Sequence, residues 1–185
     1  MNAEPAAAPS SWVTRWSPLI PPGEVLDLAC GRGRHALYLA AKGYRVLALD
    51  RDPNALASLG GVQNLTTLEA DLEDGSPWPL AGRRFAGIFV TNYLHRPLFP
   101  RLADALSEGG VLLYETFMAG NERFGSPSNP KFLLRPGELL SSLGGLGDRL
   151  SILAFEQGRI DVPKKAMIQR LCALRGEHGE GLLQP

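Results

Sequence analysis

The sequence lacks several features that would mark whole classes of protein. It contains only two cysteines, Cys30 and Cys172, far apart in the chain, which argues against a disulfide scaffold and fits a reducing compartment. Lys plus Arg and Asp plus Glu both number 19, so no net charge attracts nucleic acid or an anionic membrane. No apolar run reaches membrane-spanning length, and the first residues lack the basic start of a secretory signal. We therefore expect a cytoplasmic protein with a small-molecule substrate, neutral or zwitterionic, and neither a nucleic-acid nor a membrane partner. Its oligomeric state stays open.

The first half of the chain alternates between strand and helix patterns. Strand patterns cover 24–29, 45–49 and 65–70, and helix patterns cover 33–42 and begin again at Pro53. This β-α-β-α-β order predicts right-handed crossovers and a parallel sheet.

The second half continues the sheet and then changes its direction. Apolar runs at 85–90 and 111–114 flank a helix pattern at 98–106. The last two runs, 150–155 and 166–174, are joined by a stretch too short for a crossover helix, which predicts an antiparallel hairpin. We therefore predict an α/β fold: a Rossmann-like seven-stranded mixed sheet, six strands parallel and the last antiparallel, with helices on both faces.

The length favours one domain over residues 1–185. Within it we expect a flexible tail at 1–11 and an N-terminal helical segment at 12–23. Residues 116–135 lose all periodicity, and an irregular loop of this length in a compact domain is usually functional or mobile.

Polar residues end the first three strand patterns. Gly31 and Gly33 let a ligand approach bare backbone, and the N–H groups that open the next helix favour its polar or anionic end. Asp50 and Asp71 close the second and third strand patterns, at the sheet edge where open α/β folds bind ligands. Asp27 lies inside an apolar run, where a carboxylate is costly unless it is paired or faces the ligand. The edge suits a nucleoside-containing cofactor.

The turn that contains Gly31 and Gly33, which we call the glycine turn, also satisfies a second pattern. Gly31-x-Gly33-x-x-Ala36 matches the dinucleotide fingerprint, and Asp50 lies about where that fold has its ribose acid. The antiparallel end predicted for the sheet argues against an NAD-dependent oxidoreductase, which stays as an alternative. Cys30 and His35 supply only two possible ligands, so no metal site is expected.

Five motifs in chain order resemble those of the class I S-adenosylmethionine-dependent methyltransferases. They are Asp27–Gly33, Leu47–Asp50, Glu69–Leu72, Phe89–His95 and Leu106–Leu112, within a resemblance that covers residues 24–174. The resemblance implies an enzyme that transfers a methyl group from S-adenosylmethionine to a small-molecule acceptor. A finer similarity to the tellurite- and thiopurine-type methyltransferases indicates the scale of the acceptor and not its identity. A non-catalytic sensor of S-adenosylmethionine or S-adenosylhomocysteine is the other alternative.

The resemblance also implies roles for single residues. Gly31 and Gly33 would approach the methionine part, and Asp50 the ribose hydroxyls. Asp71 with Leu72 would contact the adenine, and residues 92–94 would line the floor near the sulfonium. The expected cofactor-binding residues are Asp27, Ala29, Gly31, Gly33, Asp50, Arg51, Asp71, Leu72 and Asn92. Ala29 replaces the first glycine of the usual loop, which a small residue should tolerate.

Methyl transfer needs alignment of the reactants, exclusion of water and, for some acceptors, a base. Tyr93 and His95 follow the fourth strand and are the expected catalytic residues. Glu115 ends the fifth strand and is a second candidate for the base, or else an ion-pair partner for Arg96 or Arg123. The irregular loop at 116–135 would cover the acceptor side.

Overall fold

Seven strands form one mixed sheet that helices cover on both faces. The structure is a computed structural model, and it describes residues 8–176. The strands are β1 (Glu24–Leu28), β2 (Arg45–Asp50), β3 (Leu65–Glu69), β4 (Phe85–Thr91), β5 (Leu106–Phe117), β6 (Leu150–Ile160) and β7 (Ala166–Arg175). The helices are α1 (Ser11–Trp16), α2 (Arg34–Ala41), α3 (Pro53–Ala57), α4 (Phe99–Ala105) and α5 (Glu138–Gly144).

The strand order is β3-β2-β1-β4-β5-β7-β6. All pairs from β3 to β5 are parallel, whereas β7 is antiparallel to both of its neighbours, β5 and β6. Six strands therefore point one way and β7 points the other, which confirms the predicted fold class. The dinucleotide-binding fold has the order 3-2-1-4-5-6 in a mostly parallel sheet, so the antiparallel β7 between β5 and β6 distinguishes this sheet from it.

Each face of the sheet carries its own hydrophobic core. Helices α4 and α5 pack on one face through Phe99, Leu102 and Leu139, and helices α1, α2 and α3 cover the other face. All seven residues of β4 are buried, because a central parallel strand is covered on both faces and reads as a continuous apolar run. Across residues 8–176, no helix combines the length and the apolar character needed to cross a bilayer.

Two segments differ in detail from the sequence-based expectation. Strand β5 extends well beyond the predicted 111–114 in both directions, so the irregular part of 116–135 begins only at Met118. Most of the tail predicted at 1–11 lies outside the described residues. Within the described part, Ser10 caps α1, where its hydroxyl accepts the N–H of Trp12 at 3.1 Å.

Gly33, the residue that precedes α2, is required by packing. It has φ +71°, and a Cβ at this position would lie 2.7 Å from both terminal methyls of the buried Leu59. We expect Gly33→Ala to lower the free energy of unfolding by about 1–3 kcal/mol, because backbone strain and overpacking add. Urea denaturation measures the change.

Gly31→Ala is the matched control for this substitution. Gly31 has a similar φ of +55°, but a Cβ there meets nothing within 4 Å. Gly31→Ala should therefore lower the free energy of unfolding only by the backbone strain, about 1 kcal/mol. Equal losses in the two variants would contradict the assignment of Gly33 to packing against Leu59.

Candidate active site

A cavity of about 400 Å³ opens at the carboxyl ends of β1 to β5, and we call it the strand-end cavity. Its walls are Ala29, Leu49, Asp50, Arg51, Ala70, Asp71, Leu72, Glu73, Asn92, Tyr93, Leu94, Thr116, Phe117, Pro127 and Phe132. This is the edge at which open α/β sheets bind ligands, and the volume lies within the range of about 300–1,000 Å³ typical of small-molecule sites.

Asp50 connects the glycine turn to the cavity. One of its carboxylate oxygens accepts the N–H of Gly31 at 2.7 Å, and the other accepts the N–H of Asp52 at 3.0 Å. A carboxylate offers about four lone-pair positions, so roughly two remain for a ligand. Asp50 therefore fixes the turn after β1 and still presents an acceptor at the cavity wall.

Two residues of the cavity wall have left-handed backbone conformations. Ala29 has φ +55° and Asn92 has φ +57°, and Asn64, far from the cavity, is the other such non-glycine residue among those described. This conformation is unfavourable for a residue with a Cβ, and it clusters at functional sites. Ala29 thus takes the glycine-like conformation that the glycine loop requires.

Asp27 lies behind the turn and does not line the cavity. Its carboxylate is fully buried; one oxygen accepts the N–H of Ala36 at 2.9 Å, and the other has no hydrogen-bond partner among residues 8–176. Burial raises the pKa of Asp27 to about 7. Asp27 holds the first turn of α2 against β1.

The residues after β2 and β3 form a polar wall of the cavity. Asp71 accepts the N–H of Glu73 at 2.9 Å, and its other oxygen lies 3.7 Å from Arg51 Nη1. Leu72 packs against the core beside them. The structure therefore brings six of the nine predicted cofactor residues to the cavity wall: Ala29, Asp50, Arg51, Asp71, Leu72 and Asn92. Asp27, Gly31 and Gly33 do not line the cavity: the two glycines form the turn itself, and Asp27 lies behind it.

The two predicted catalytic residues differ in position. Tyr93 lines the cavity, and burial together with the nearby Glu73 carboxylate raises the pKa of its hydroxyl, which therefore stays protonated and can donate a hydrogen bond. His95 does not line the cavity; its Nδ1 lies 3.9 Å from an oxygen of Glu73.

The irregular segment from Met118 to Arg135 is held in place by Arg96. This side chain donates to the carbonyls of Lys131 and Leu133, both at 3.0 Å, and forms an ion pair with Glu138. Phe132, between the two carbonyls, lines the cavity although 49% of it is exposed. Sequence analysis predicted a functional loop here but did not single out Phe132, for which an aromatic residue in a polar loop was the available signal.

The proposed partners of Glu115 were wrong. Its carboxylate lies 3.5 Å from Arg170 Nη1 on β7, because Glu115 and Arg170 are directly paired in the β5–β7 register. Arg96 instead pairs with Glu138. Among residues 8–176, no group of three or more His, Cys, Asp or Glu side chains could hold a metal ion.

Comparison with known proteins agrees with this geometry. Residues 7–75 match the family model described as tellurite resistance protein TehB. The crystal structure of TehB from Haemophilus influenzae superposes with a TM-score of 0.72 and 21% identity, covering 89% of this chain and 61% of that one. The chain has the fold of known S-adenosylmethionine-dependent methyltransferases. The sequence resemblance to this class is thereby confirmed.

Two relatives found by sequence have the names of methyltransferases. A probable S-adenosyl-L-methionine-dependent methyltransferase TehB of Haemophilus influenzae is 49% identical over 41 residues, 22% of this chain and 14% of its own length. A protein-L-isoaspartate O-methyltransferase of Chlorobaculum tepidum is 37% identical over 97 residues, 51% of this chain and 45% of its own length. The match thus spans less than half the length of either relative.

A further structural neighbour was crystallised with S-adenosyl-L-homocysteine. The glycopeptide N-methyltransferase MtfA, complexed with S-adenosyl-L-homocysteine, superposes with a TM-score of 0.65 and 18% identity, covering 91% of this chain and 90% of that one.

Proposed function

We propose that the chain transfers a methyl group from S-adenosylmethionine to a small-molecule acceptor. The observation that carries the proposal is the strand-end cavity, which Asp50 and Asp71 flank from consecutive strands of a methyltransferase-type sheet. The match to TehB adds support from sequence over residues 7–75. We also propose a cytoplasmic location, which the two buried, unpaired cysteines support.

The residues at the cavity fit the methyl donor. Asp50 has acceptor positions left for the ribose hydroxyls, and Asp71 with Leu72 forms the wall for the adenine. Ala29 and Asn92 follow β1 and β4, on the other side of Asp50 from Asp71, and would border the reacting end of the donor. When bound, S-adenosylmethionine would supply the methyl group: an acceptor atom would use a lone pair to bond the methyl carbon as the C–S bond breaks and its electron pair stays on sulfur. Any proton on the acceptor atom would pass to a base or to solvent.

The chain's own contribution is to hold and enclose the reactants. In-line transfer is accelerated mainly by proximity and orientation. Exclusion of water in addition replaces the hydration shell of the acceptor and prevents side reactions with solvent. Pro127 and Phe132 cover the cavity from the irregular segment, and the bonds of Arg96 keep Phe132 there. This cover shields a donor in the strand-end cavity from solvent.

Two measurements test the proposal. Isothermal titration calorimetry should give one S-adenosylmethionine site per chain and at least about tenfold weaker binding of NAD. Incubation with methyl-labelled donor and a panel of small nucleophiles should then give a labelled product. Tighter NAD binding would overturn the assignment. Donor binding without transfer to any acceptor would favour the sensor alternative.

We retain Tyr93 and His95 as the proposed functional pair. Tyr93 is the hydrogen-bond donor at the strand-end cavity, and His95, which does not line this cavity, is a positioning residue that acts through Glu73 of the cavity wall, 3.9 Å from its Nδ1. His95→Ala should lower the rate of methyl transfer by about tenfold or more, the usual range for a lost base or orienting bond. The affinity for S-adenosylmethionine should stay within about twofold of the wild type, since His95 does not line the cavity. An unchanged rate, measured with a labelled methyl group, would make His95 structural.

A further inference from the structure

A second cavity of about 400 Å³ adjoins the first one, and we call it the hairpin cavity. It lies between residues 8–11, the ends of β5 and β7, and the turn that joins β6 to β7. Asn92 and Phe117 line both cavities. A molecule in the hairpin cavity would therefore border the reacting end of a donor in the strand-end cavity, so the inference below rests on the proposed function.

The floor of the hairpin cavity is apolar. Phe117, Ala166 and Ile168 are buried there and form a small hydrophobic cluster together with Leu133, and Ile160 packs against it. At the mouth, Val162 is 82% exposed.

Positive charge exceeds negative charge at the rim. Arg34, Lys164 and Arg170 line the cavity, with Glu115 as its only carboxylate among the described lining residues. Arg170 is already neutralised, since it lies 3.5 Å from Glu115 and 2.6 Å from Glu156.

The two remaining cations have no such partner. Arg34 and Lys164 have no carboxylate within ion-pair distance in the part of the chain that the structure describes. Arg34 is half-buried at the start of α2, where the helix N-terminus adds partial positive charge. The ammonium of Lys164 lies 6.0 Å from the ring centre of Phe117, the wall that the two cavities share.

We propose that the hairpin cavity is the acceptor site and that the acceptor is an amphipathic molecule with an apolar body and an anionic group. The apolar body packs on Phe117 and Ile168. The anionic group lies at the rim, between Arg34 and Lys164. This assigns a substrate class to the transfer reaction and makes Lys164 a specificity determinant.

Three ligands with one apolar body and different head groups test the class. Octanoate, octanol and octylamine are titrated by calorimetry into the full chain, with and without S-adenosylhomocysteine. Octanoate should bind at least about tenfold more tightly than octylamine, because like charges at a desolvated rim repel and opposite charges attract. Equal affinity for the two charged ligands would overturn the proposal.

Lys164→Glu and Lys165→Glu are a matched pair of variants. Both lysines are exposed neighbours in the same turn, but only Lys164 lines the cavity. Lys164→Glu should weaken octanoate binding at least about tenfold, and Lys165→Glu less than about threefold, since screening by salt limits the effect of a more distant exposed charge. Equal losses would show that only net charge matters and would contradict the site.

A third variant separates this inference from the function on which it rests. Arg34→Met should weaken octanoate binding about fivefold or more and leave the affinity for S-adenosylhomocysteine within about twofold. Weaker binding of S-adenosylhomocysteine with unchanged octanoate affinity would assign Arg34 to the donor site and overturn its role in the acceptor site. Absence of S-adenosylhomocysteine binding to the wild type would contradict the proposed function itself, whereas donor binding without octanoate binding would contradict only the acceptor class.

Discussion

Asp50→Ala is expected to weaken S-adenosylmethionine binding by about 2–3 kcal/mol, roughly 30- to 150-fold, because two consequences add. The ribose hydroxyls lose a charged acceptor. In addition, the N–H groups of Gly31 and Asp52 lose the carboxylate that fixes the turn after β1. Calorimetry with the purified variant measures the loss, and circular dichroism checks that the fold is retained.

Asp52 supplies the control for this prediction. It belongs to the same turn and caps α3 by accepting the N–H of Asn54 at 2.9 Å, but it does not line the strand-end cavity. Asp52→Ala should cost about 1 kcal/mol of stability and leave the affinity for the donor almost unchanged. Equal losses of affinity in the two variants would show that Asp50 acts only through the turn.

The pH dependence of stability should reveal two buried groups with opposite effects. Burial raises the pKa of Asp27 to about 7 and lowers the pKa of His35 to about 3. The contribution of Asp27 is therefore fully present below its unfolded pKa of about 4 and is lost as pH rises through 7. That of His35 is present above its unfolded pKa of about 6.5 and is lost as pH falls towards 3.

Between about pH 4.5 and 6.5 the pH dependences of the two contributions nearly cancel in the free energy of unfolding. Each contribution changes by about 1.4 kcal/mol per pH unit, and the two change in opposite directions. Asp27→Asn should remove the contribution of Asp27 and leave that of His35. As the pH drops across this range, the free energy of unfolding of the variant should therefore fall by about 2–3 kcal/mol more than that of the wild type. His35→Gln should produce the opposite slope. Urea denaturation at several pH values measures both.

The double variant provides the internal control. Asp27→Asn with His35→Gln should restore the slope of the wild type, whatever the loss of absolute stability. His35 also links the N-terminal segment to β4, since its ring nitrogens bond the N–H of Ser10 and the hydroxyl of Thr91, both at 3.1 Å. A wild-type slope in either single variant would contradict the protonation states that burial imposes here.

The fold could be predicted from sequence because its signals are local. Buried parallel strands read as continuous apolar runs, and the short connection after β6 leaves no room for a crossover helix, which predicts the antiparallel β7. The extent of β5 could not be predicted, because its pairing with β7 is a long-range contact that no local pattern encodes.

The candidate site could be predicted only in part for the same reason. Asp50 and Asp71 follow strands, and strand ends converge at one edge of a parallel sheet. The Glu115–Arg170 pair joins residues far apart in sequence, and the role of Gly33 depends on Leu59. The methyltransferase motif includes a glycine at position 33, but only the close contact with Leu59 in the structure explains why a side chain is excluded there.

A crystal structure of the chain with S-adenosylhomocysteine tests the central claim most directly. We expect the ligand in the strand-end cavity, with its ribose hydroxyls bonded to the carboxylate of Asp50, its adenine beside Leu72, and its sulfur on the side of Asn92 that faces the hairpin cavity. Binding at another place, or in this cavity without contact to Asp50, would contradict the account.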